Sequence, residues 1–409
     1  MYKSDSLVSS QTFSTSQKIA RTLVHKALEQ IAVGHLVLVE TFGDTVCFGD
    51  EKQGLSAVIE IHDPDVYQRV IKAGDIGAAE AYMDKQWDSQ DLTILMQVMA
   101  ANLSALDALE SNQSWLSKCV NQVKHWFNRN TLTGSKKNIE AHYDLGNDLY
   151  TTFLDTRMLY SSGIFHSECD SLEEAQLNKM ERLCQELELD SSDHVLEIGT
   201  GWGAMAIYMA THYGCKVTTT TISEEQHAYT QALIKQNKLE DRIELLKQDY
   251  RTLTGRYDKI VSIEMIEAVG EKFLPSYISQ CNSLLKKGGK LAIQSITIAD
   301  QRYDHYANSV DFIQKYIFPG GFLPSVTQLC VQMTQGSQLV MRDLKDIGLD
   351  YADTLAHWHH RFNLAAHHLQ SKGYDERFCR MWRYYLSYCE GGFRAKTIST
   401  VQLTFEKVA

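Results

Sequence analysis

From about residue 190 onward the chain alternates short apolar stretches with amphipathic ones. The order is HVLEIG, a helical pattern from about Ala204, KVTTTT, a second helical pattern from about Glu224, RIELLKQD, DKIVSIEM, a third from about Phe273 to Leu285, and KLAIQSI. Strand-length apolar runs separated by helix-length amphipathic runs are the pattern of a doubly wound, Rossmann-like parallel sheet covered by helices on both faces. Such sheets take their ligands beyond the carboxyl ends of the strands, so the search for chemistry begins there.

The first of these strands runs into Glu197-Ile198-Gly199-Thr200-Gly201-Trp202-Gly203, and a helical pattern follows directly. Three glycines at alternate positions let the backbone turn sharply and approach a ligand closely. The spacing is GxGxG rather than GxGxxG, and the acidic residue precedes the loop. That suits a nucleoside cofactor without a pyrophosphate and is similar to the loop of adenosylmethionine methyltransferases. A dinucleotide enzyme would carry an acidic residue at the end of the second strand to hold the ribose hydroxyls. Here that place reads Thr218 to Thr221, Ile222 and Ser223, which disfavours a dehydrogenase. Asp249 and Tyr250, after the third strand, are candidates to hold the amino group and ring of an adenine.

At 409 residues the chain is long enough for a second, smaller domain. Up to about residue 110 short strands (HLVLVE, TVCFGD) mix with helical patterns, such as the one suggested by Tyr67, Val70 and Ile71, and read as a small α+β N-terminal domain. Within it the stretch GDIGAAEAYMDKQWDSQDL is either a pocket lining or a helix and packed turn. Residues 111–139 form an amphipathic linker: Trp115, Cys119, Val123 and Trp126 fall at helical spacing, flanked by Lys118, Lys124, Arg129, Lys136 and Lys137. The catalytic text then occupies residues 140–409. A net charge of −11 opposes contact with nucleic acid or anionic lipid, so a membrane partner needs a local basic patch, and 111–139 supplies one. The alternative for this segment is a linker helix packed on either domain.

No apolar run approaches the ~20 residues of a spanning helix. The opening MYKSDSLVSSQTFSTSQ lacks an apolar signal core, and the nine cysteines include no CxxC pair. The expectation is a cytoplasmic protein with reduced thiols and no metal site, peripherally associated with the inner face of the membrane.

Residues 142–165, HYDLGNDLYTTFLDTRMLYSSGIF, carry the specific resemblance. Together with VLEIGTGWG, TISEEQ, SIEMIEAVGEKF, YIFPGGFLPS, GLDYADTLAHWHHRF and YYLSYCEGGFRA they resemble the cyclopropane fatty acid synthases and mycolic acid methyltransferases. The resemblance implies an S-adenosylmethionine-dependent C-methyltransferase acting on unsaturated phospholipid, with a homodimer formed through the N-terminal domain of the longer members. It makes Tyr160 and Ser161 contacts to the methionine part of the cofactor, and Gly199, Gly201, Thr221, Ile222, Gln226 and Tyr250 further contacts, beside Glu197, Gly203 and Asp249 from the loop reading. Glu267, Ile296 and Tyr351 match residues that hold a bicarbonate ion, the family's base. Two other members of that cage, a cysteine and a histidine, are replaced by Ser162 and Gln294, and the histidine expected after EMIE is Ala268.

An isolated alkene is a poor nucleophile, so an electrophilic methyl must be aligned with it in a dry pocket. The resulting cation is stabilised by aromatic faces, for which Tyr143, Tyr150, Phe153, Tyr160, Phe165, Tyr316, Phe318 and Phe322 are candidates. Loss of a proton from the new methyl closes a cyclopropane; loss from a neighbouring carbon leaves a methyl or methylene branch. The base is either bicarbonate, held by serine and glutamine in place of cysteine and histidine, or a carboxylate acting directly, Glu267 first and Glu390 second. Other readings are a small-molecule O- or N-methyltransferase, which does not need the YSSGIF, YIFPGG and DYADTL segments, and a catalytically inactive lipid-binding protein. An RNA methyltransferase lacks its electrostatic footprint.

Overall fold

A computed structural model describes residues 13–103 and 146–408. The linker 111–139, with its basic stripe, and Tyr143 lie outside the described residues. Among the described residues no helix is long and apolar enough to cross a membrane.

The described residues form two compact units, 13–103 with 370–395 and 146–369 with 396–408. In the first, helix α1 (Thr15–Leu28) starts on a capping box in which Ser14 and Gln17 exchange hydrogen bonds. It is followed by β1 (His35–Glu40), β2 (Thr45–Gly49), β3 (Ser56–Ile61), α2 (Asp65–Met83), the short β4 (Trp87–Asp88) and α3 (Leu92–Ala101). The strands form one sheet in the order β2-β1-β3-β4, which is the small α+β domain expected from the sequence. The GDIGAAEAYMDKQWDSQDL stretch is the carboxyl half of α2, β4 and the start of α3, with the Tyr82 and Trp87 rings tilted against each other at 5.0 Å.

The second unit opens with α4 (Asn147–Phe153) and α5 (Leu172–Leu187), then β5 (His194–Ile198), α6 (Ala204–His212), β6 (Lys216–Thr221), α7 (Glu224–Gln236), β7 (Ile243–Lys247), β8 (Tyr257–Ile263), α8 (Leu274–Leu284) and β9 (Leu285–Ile298). It continues through α9 (Tyr303–Ala307), α10 (Val326–Gly336), β10 (Leu339–Asp346) and α11 (Gly348–Ser371). The chain then forms α12 (Glu376–Arg394) and closes on β11 (Ile398–Lys407).

Seven strands pair in the order β10-β11-β9-β8-β5-β6-β7. Strands β5 to β9 are parallel, as the alternating text predicts, while β11 runs antiparallel to both β9 and β10. The strands read from the sequence are thus parallel as expected, and the antiparallel strand β11, beside the β10 edge, lies beyond those segments. Neighbouring residues on a strand face opposite sides of the sheet, so Val195 and Leu196 enter two different cores. The order reverses between β8 and β5, which places the switch-point crevice beyond Ile198 and Ile263.

The division drawn at residue 140 differs from the fold in one respect. Helix α12 packs with the first unit: Gly391 lies directly over Met96 and Gln97 of α3, where a Cβ would stand 2.6 Å from their atoms.

Candidate active site

The loop after β5 is shaped by its glycines. Gly199, Gly201 and Gly203 have φ of +97°, +52° and +90°, the left-handed region that side chains disfavour. A Cβ on Gly203 would meet Thr230 Cγ2 at 2.7 Å, and one on Gly199 would meet Met265 Cγ at 3.2 Å. Above Gly201 nothing stands within 4 Å among the described residues, which leaves the crest of the loop open to a ligand there. These observations fit a nucleoside cofactor cradled by backbone.

Around the loop, Glu197 is buried and its Oε2 accepts from the Thr219 hydroxyl at 2.5 Å; burial pushes this carboxyl up to about 8. Thr221 donates to Gln226 Oε1 at 2.8 Å and accepts from the Ser223 N–H, which closes the turn that carries Ile222. Asp249 accepts from the Arg251 N–H and Nε on Oδ1 and from Nη2 on Oδ2. The Tyr250 ring is half-buried, edge-on to Tyr277 at 5.3 Å.

An aromatic cluster joins this loop to the segment 150–165. Trp202, between two of the glycines, donates to Asn147 Oδ1 at 2.9 Å and lies 5.2 Å from Tyr150. Tyr160 contacts Tyr150 at 5.4 Å, Trp358 at 5.2 Å and Phe318 at 6.2 Å. Of the aromatic candidates, Tyr150, Phe153, Tyr160 and Phe318 belong to this cluster, whereas Phe165 stacks on His357, Tyr316 lies tilted against Phe312 and Phe322 is edge-on to Tyr303. Ser161 beside Tyr160 is buried and accepts from Lys179 Nζ at 2.6 Å. Lys179 is fully buried, and desolvation lowers its pKa to about 8 despite the opposing charges of Glu264 and Asp155.

The five residues expected as an anion cage divide between two carboxylates. Glu267 Oε1 accepts from the Ile296 N–H at 2.5 Å and lies 3.1 Å from the Ser295 hydroxyl, while its buried Oε2 has no hydrogen-bond partner among the described residues. Ser162, Gln294 and Tyr351 turn instead to Glu264. Its Oε1 accepts from the Ser162 N–H and from Gln294 Nε2, both at 2.8 Å, and its Oε2 accepts from the Tyr351 hydroxyl at 2.9 Å. The Ser162 hydroxyl is spent on the Gly163 carbonyl. The amide of Gln294 is oriented by Gln402, which donates to its oxygen at 2.9 Å.

Burial raises both carboxyls. For Glu264 the three donors and the Lys179 charge oppose the rise; for Glu267 the neighbouring Glu264 adds to it, and it reaches about 8. The donors around Glu264 therefore favour the charge there and the proton on Glu267. The other direct-base candidate, Glu390, is buried in the first unit, where it accepts from Arg394 at 2.8 Å and lies 3.4 Å from the Thr93 hydroxyl. It is a structural ion-pair partner there.

Glu264 was not singled out from the sequence. Its only signal was a second glutamate three residues before Glu267 in SIEMIE, at the end of a strand entering the crevice. Its φ of +47° is a strained conformation for a residue with a side chain, of the kind that clusters at functional sites. Met265, between the two glutamates, is the residue against which Gly199 packs, so the glycine loop and the carboxylates are contiguous.

Comparison with known proteins places the chain in a family. The family described as mycolic acid cyclopropane synthetase matches residues 130–403. A tuberculostearic acid methyltransferase of Mycobacterium tuberculosis is 37% identical over 353 residues, covering 84% of this chain and 82% of that protein. A cyclopropane-fatty-acyl-phospholipid synthase of Escherichia coli is 37% identical over 365 residues, covering 86% and 88%. The crystal structure of a mycolic acid cyclopropane synthase complexed with S-adenosylhomocysteine and CTAB superposes with a TM-score of 0.62 at 26% identity, over 66% of this chain and 98% of that one.

Proposed function

Because the chain belongs to the mycolic acid cyclopropane synthetase family, we propose that it transfers a methyl group to a double-bond carbon of an unsaturated phospholipid acyl chain, giving a cyclopropane fatty acyl chain. The methyl donor is S-adenosylmethionine, which when bound supplies an electrophilic sulfonium methyl. The observation that carries the reading is the contiguity, at the ends of neighbouring strands β5 and β8, of an open glycine loop and a buried carboxylate pair.

In this reading Gly199, Gly201 and Gly203, with Glu197, Thr221, Ile222, Gln226, Asp249 and Tyr250, hold the nucleoside. Tyr160 and Ser161 hold the methionine part. Tyr160, Phe318 and their aromatic neighbours exclude water and present ring faces to the positive charge that develops on the acyl chain. A methyl- or methylene-branched product from the same cation is the second reading, favoured by Ser162 and Gln294, which turn to a carboxylate where the family carries cysteine and histidine.

The test is incubation of the full chain with methyl-labelled S-adenosylmethionine and vesicles of defined monounsaturated phospholipids, followed by mass spectrometry of the acyl chains. Labelled ring-bearing chains are expected. Only branched chains would establish the second reading, and cofactor binding without turnover on any of the lipids would leave a lipid-binding protein.

Access to the acyl chain requires the membrane surface. We infer that residues 111–139 dock the protein peripherally on the inner, anionic face, and that the N-terminal unit forms a homodimer. Changing Lys118, Lys124, Arg129 and Lys136 to Glu should reduce co-sedimentation with anionic vesicles; unchanged sedimentation would remove that role. Sedimentation velocity of the full chain tests the dimer: a species of twice the chain mass is expected, and a single species at the mass of one chain would remove it.

A further inference from the structure

The family resemblance calls for a bicarbonate ion as base, and the residues present do not leave it a place. Three of the five cage positions, Ser162, Gln294 and Tyr351, already donate to a carboxylate that belongs to the chain. A carboxylate and a bicarbonate share the planar, two-oxygen acceptor face that such donors recognise, so one donor set does not serve both. We propose that Glu264 replaces bicarbonate in this protein and is the group that takes the proton from the acyl-chain cation. The proposal rests on the methyl-transfer reading above.

Several features favour Glu264 over Glu267 for this task. Its donors come from three separate parts of the second unit: the loop after Tyr160, strand β9 and helix α11. They fix the carboxylate in the strained left-handed backbone that directs it there. Gln294 is itself fixed by Gln402, and its Nε2 also donates to the Ser162 carbonyl at 3.2 Å, so its amide face is committed to this arrangement. Lys179, buried beside Ser161, adds a cation to the surroundings. Glu267 stays close by as the proton-bearing partner, with one oxygen anchored on β9.

The step balances without an outside reagent. As the methyl is transferred, the C–S pair leaves with sulfur and the alkene pair forms the new C–C bond, leaving a cation on the other alkene carbon. Glu264 then accepts a proton. If it comes from the new methyl, the released C–H pair closes the ring; if it comes from an adjacent chain carbon, that pair forms a double bond beside the branch. The carboxylic acid returns its proton to solvent.

Two measurements on the full chain test this. Turnover is followed as S-adenosylhomocysteine release with monounsaturated phospholipid vesicles, in carbon dioxide-free buffer with and without millimolar bicarbonate. The wild-type rate should not respond to bicarbonate. Glu264→Gln, nearly isosteric, should lose about a hundredfold or more in turnover while keeping its affinity for S-adenosylmethionine. Glu264→Ala, which frees the three donors, should regain activity when bicarbonate or formate is added.

Independently of turnover, carbon-13 NMR with labelled bicarbonate should show no bound signal on the wild type and a bound signal on Glu264→Ala. A bicarbonate-dependent wild type, undiminished turnover in Glu264→Gln, or labelled bicarbonate bound to the wild type would each overturn the proposal. If no lipid is methylated by the wild type, the functional reading fails, and the labelled-bicarbonate experiment still decides whether Glu264 holds the anion's place.

Discussion

The glycine loop after β5 and the carboxylate nest after β8 stand at neighbouring strand ends and touch through Gly199 and Met265, yet they are built in opposite ways. The loop is made of consecutive residues whose backbone does the work: three left-handed glycines, two of them pressed against a neighbour and one open. The nest is made of two side chains and one backbone N–H from distant parts of the chain converging on Glu264. A cofactor cradle of the first kind is specified locally and tolerates no added bulk at its packed positions. A proton acceptor of the second kind is specified by tertiary structure and tolerates changes of shape better than changes of hydrogen-bonding.

The sharpest break in this comparison is Gly203→Ala. The new Cβ combines a left-handed φ with a 2.7 Å approach to Thr230 Cγ2, a cost of about 2–5 kcal/mol. Thermal unfolding should shift down and the affinity for S-adenosylmethionine should fall. Adding Thr230→Ser, which removes the opposing methyl, should recover part of both; no recovery would show that the steric contact is not the cause.

Next comes the pH dependence of Glu197 on the loop strand. Its folded pKa, about 8, lies above the ordinary 4.5, so the folded state binds this proton more tightly than the unfolded chain does. Stability is then fullest below about pH 4.5 and is lost as pH rises through 8. Glu197→Gln should remove that slope in the cofactor-free protein, opening a stability gap on the order of a few kcal/mol in favour of the variant above pH 8, read as a higher melting temperature. Parallel melting curves for the two proteins across that range would refute the burial of charge at Glu197.

Tyr351→Phe reaches the nest without touching the loop. It removes one hydrogen bond to a carboxylate, worth about 1.5–3 kcal/mol, so turnover should drop roughly ten- to a hundredfold with cofactor affinity unchanged. A parallel loss of cofactor affinity would show that the two regions are not separable. The smallest effect belongs to Gly201→Ala, where the added Cβ meets open space and only the left-handed φ costs, about 1 kcal/mol. A loss equal to that of Gly203→Ala would contradict the open crest.

Legibility from sequence followed the same division. The parallel strands, the helices after β5 and β6 and the glycine loop were readable because periodicity and glycine spacing are local properties of a few consecutive residues. The antiparallel edge was not, because β11 reaches its place beside β9 only after α12 has returned to the first unit, and no nearby residues record that path. In the site, Glu267, Ile296, Ser162, Gln294 and Tyr351 were named as one cage, but their division between two carboxylates was hidden. Lys179 was missed as well, since in an amphipathic helix a lysine reads as solvent-facing, and only its position under Ser161 buries it.

The sequence by itself determined the sheet, the position of the cofactor loop and the residue types available for proton transfer, because each of these follows from neighbours a few positions apart. Tertiary structure alone decided which carboxylate those residues serve. Ser162, Gln294 and Tyr351 are far apart along the chain, and a buried carboxylate is stable only where donors from several elements arrive together. At the end of β8 they arrive at Glu264.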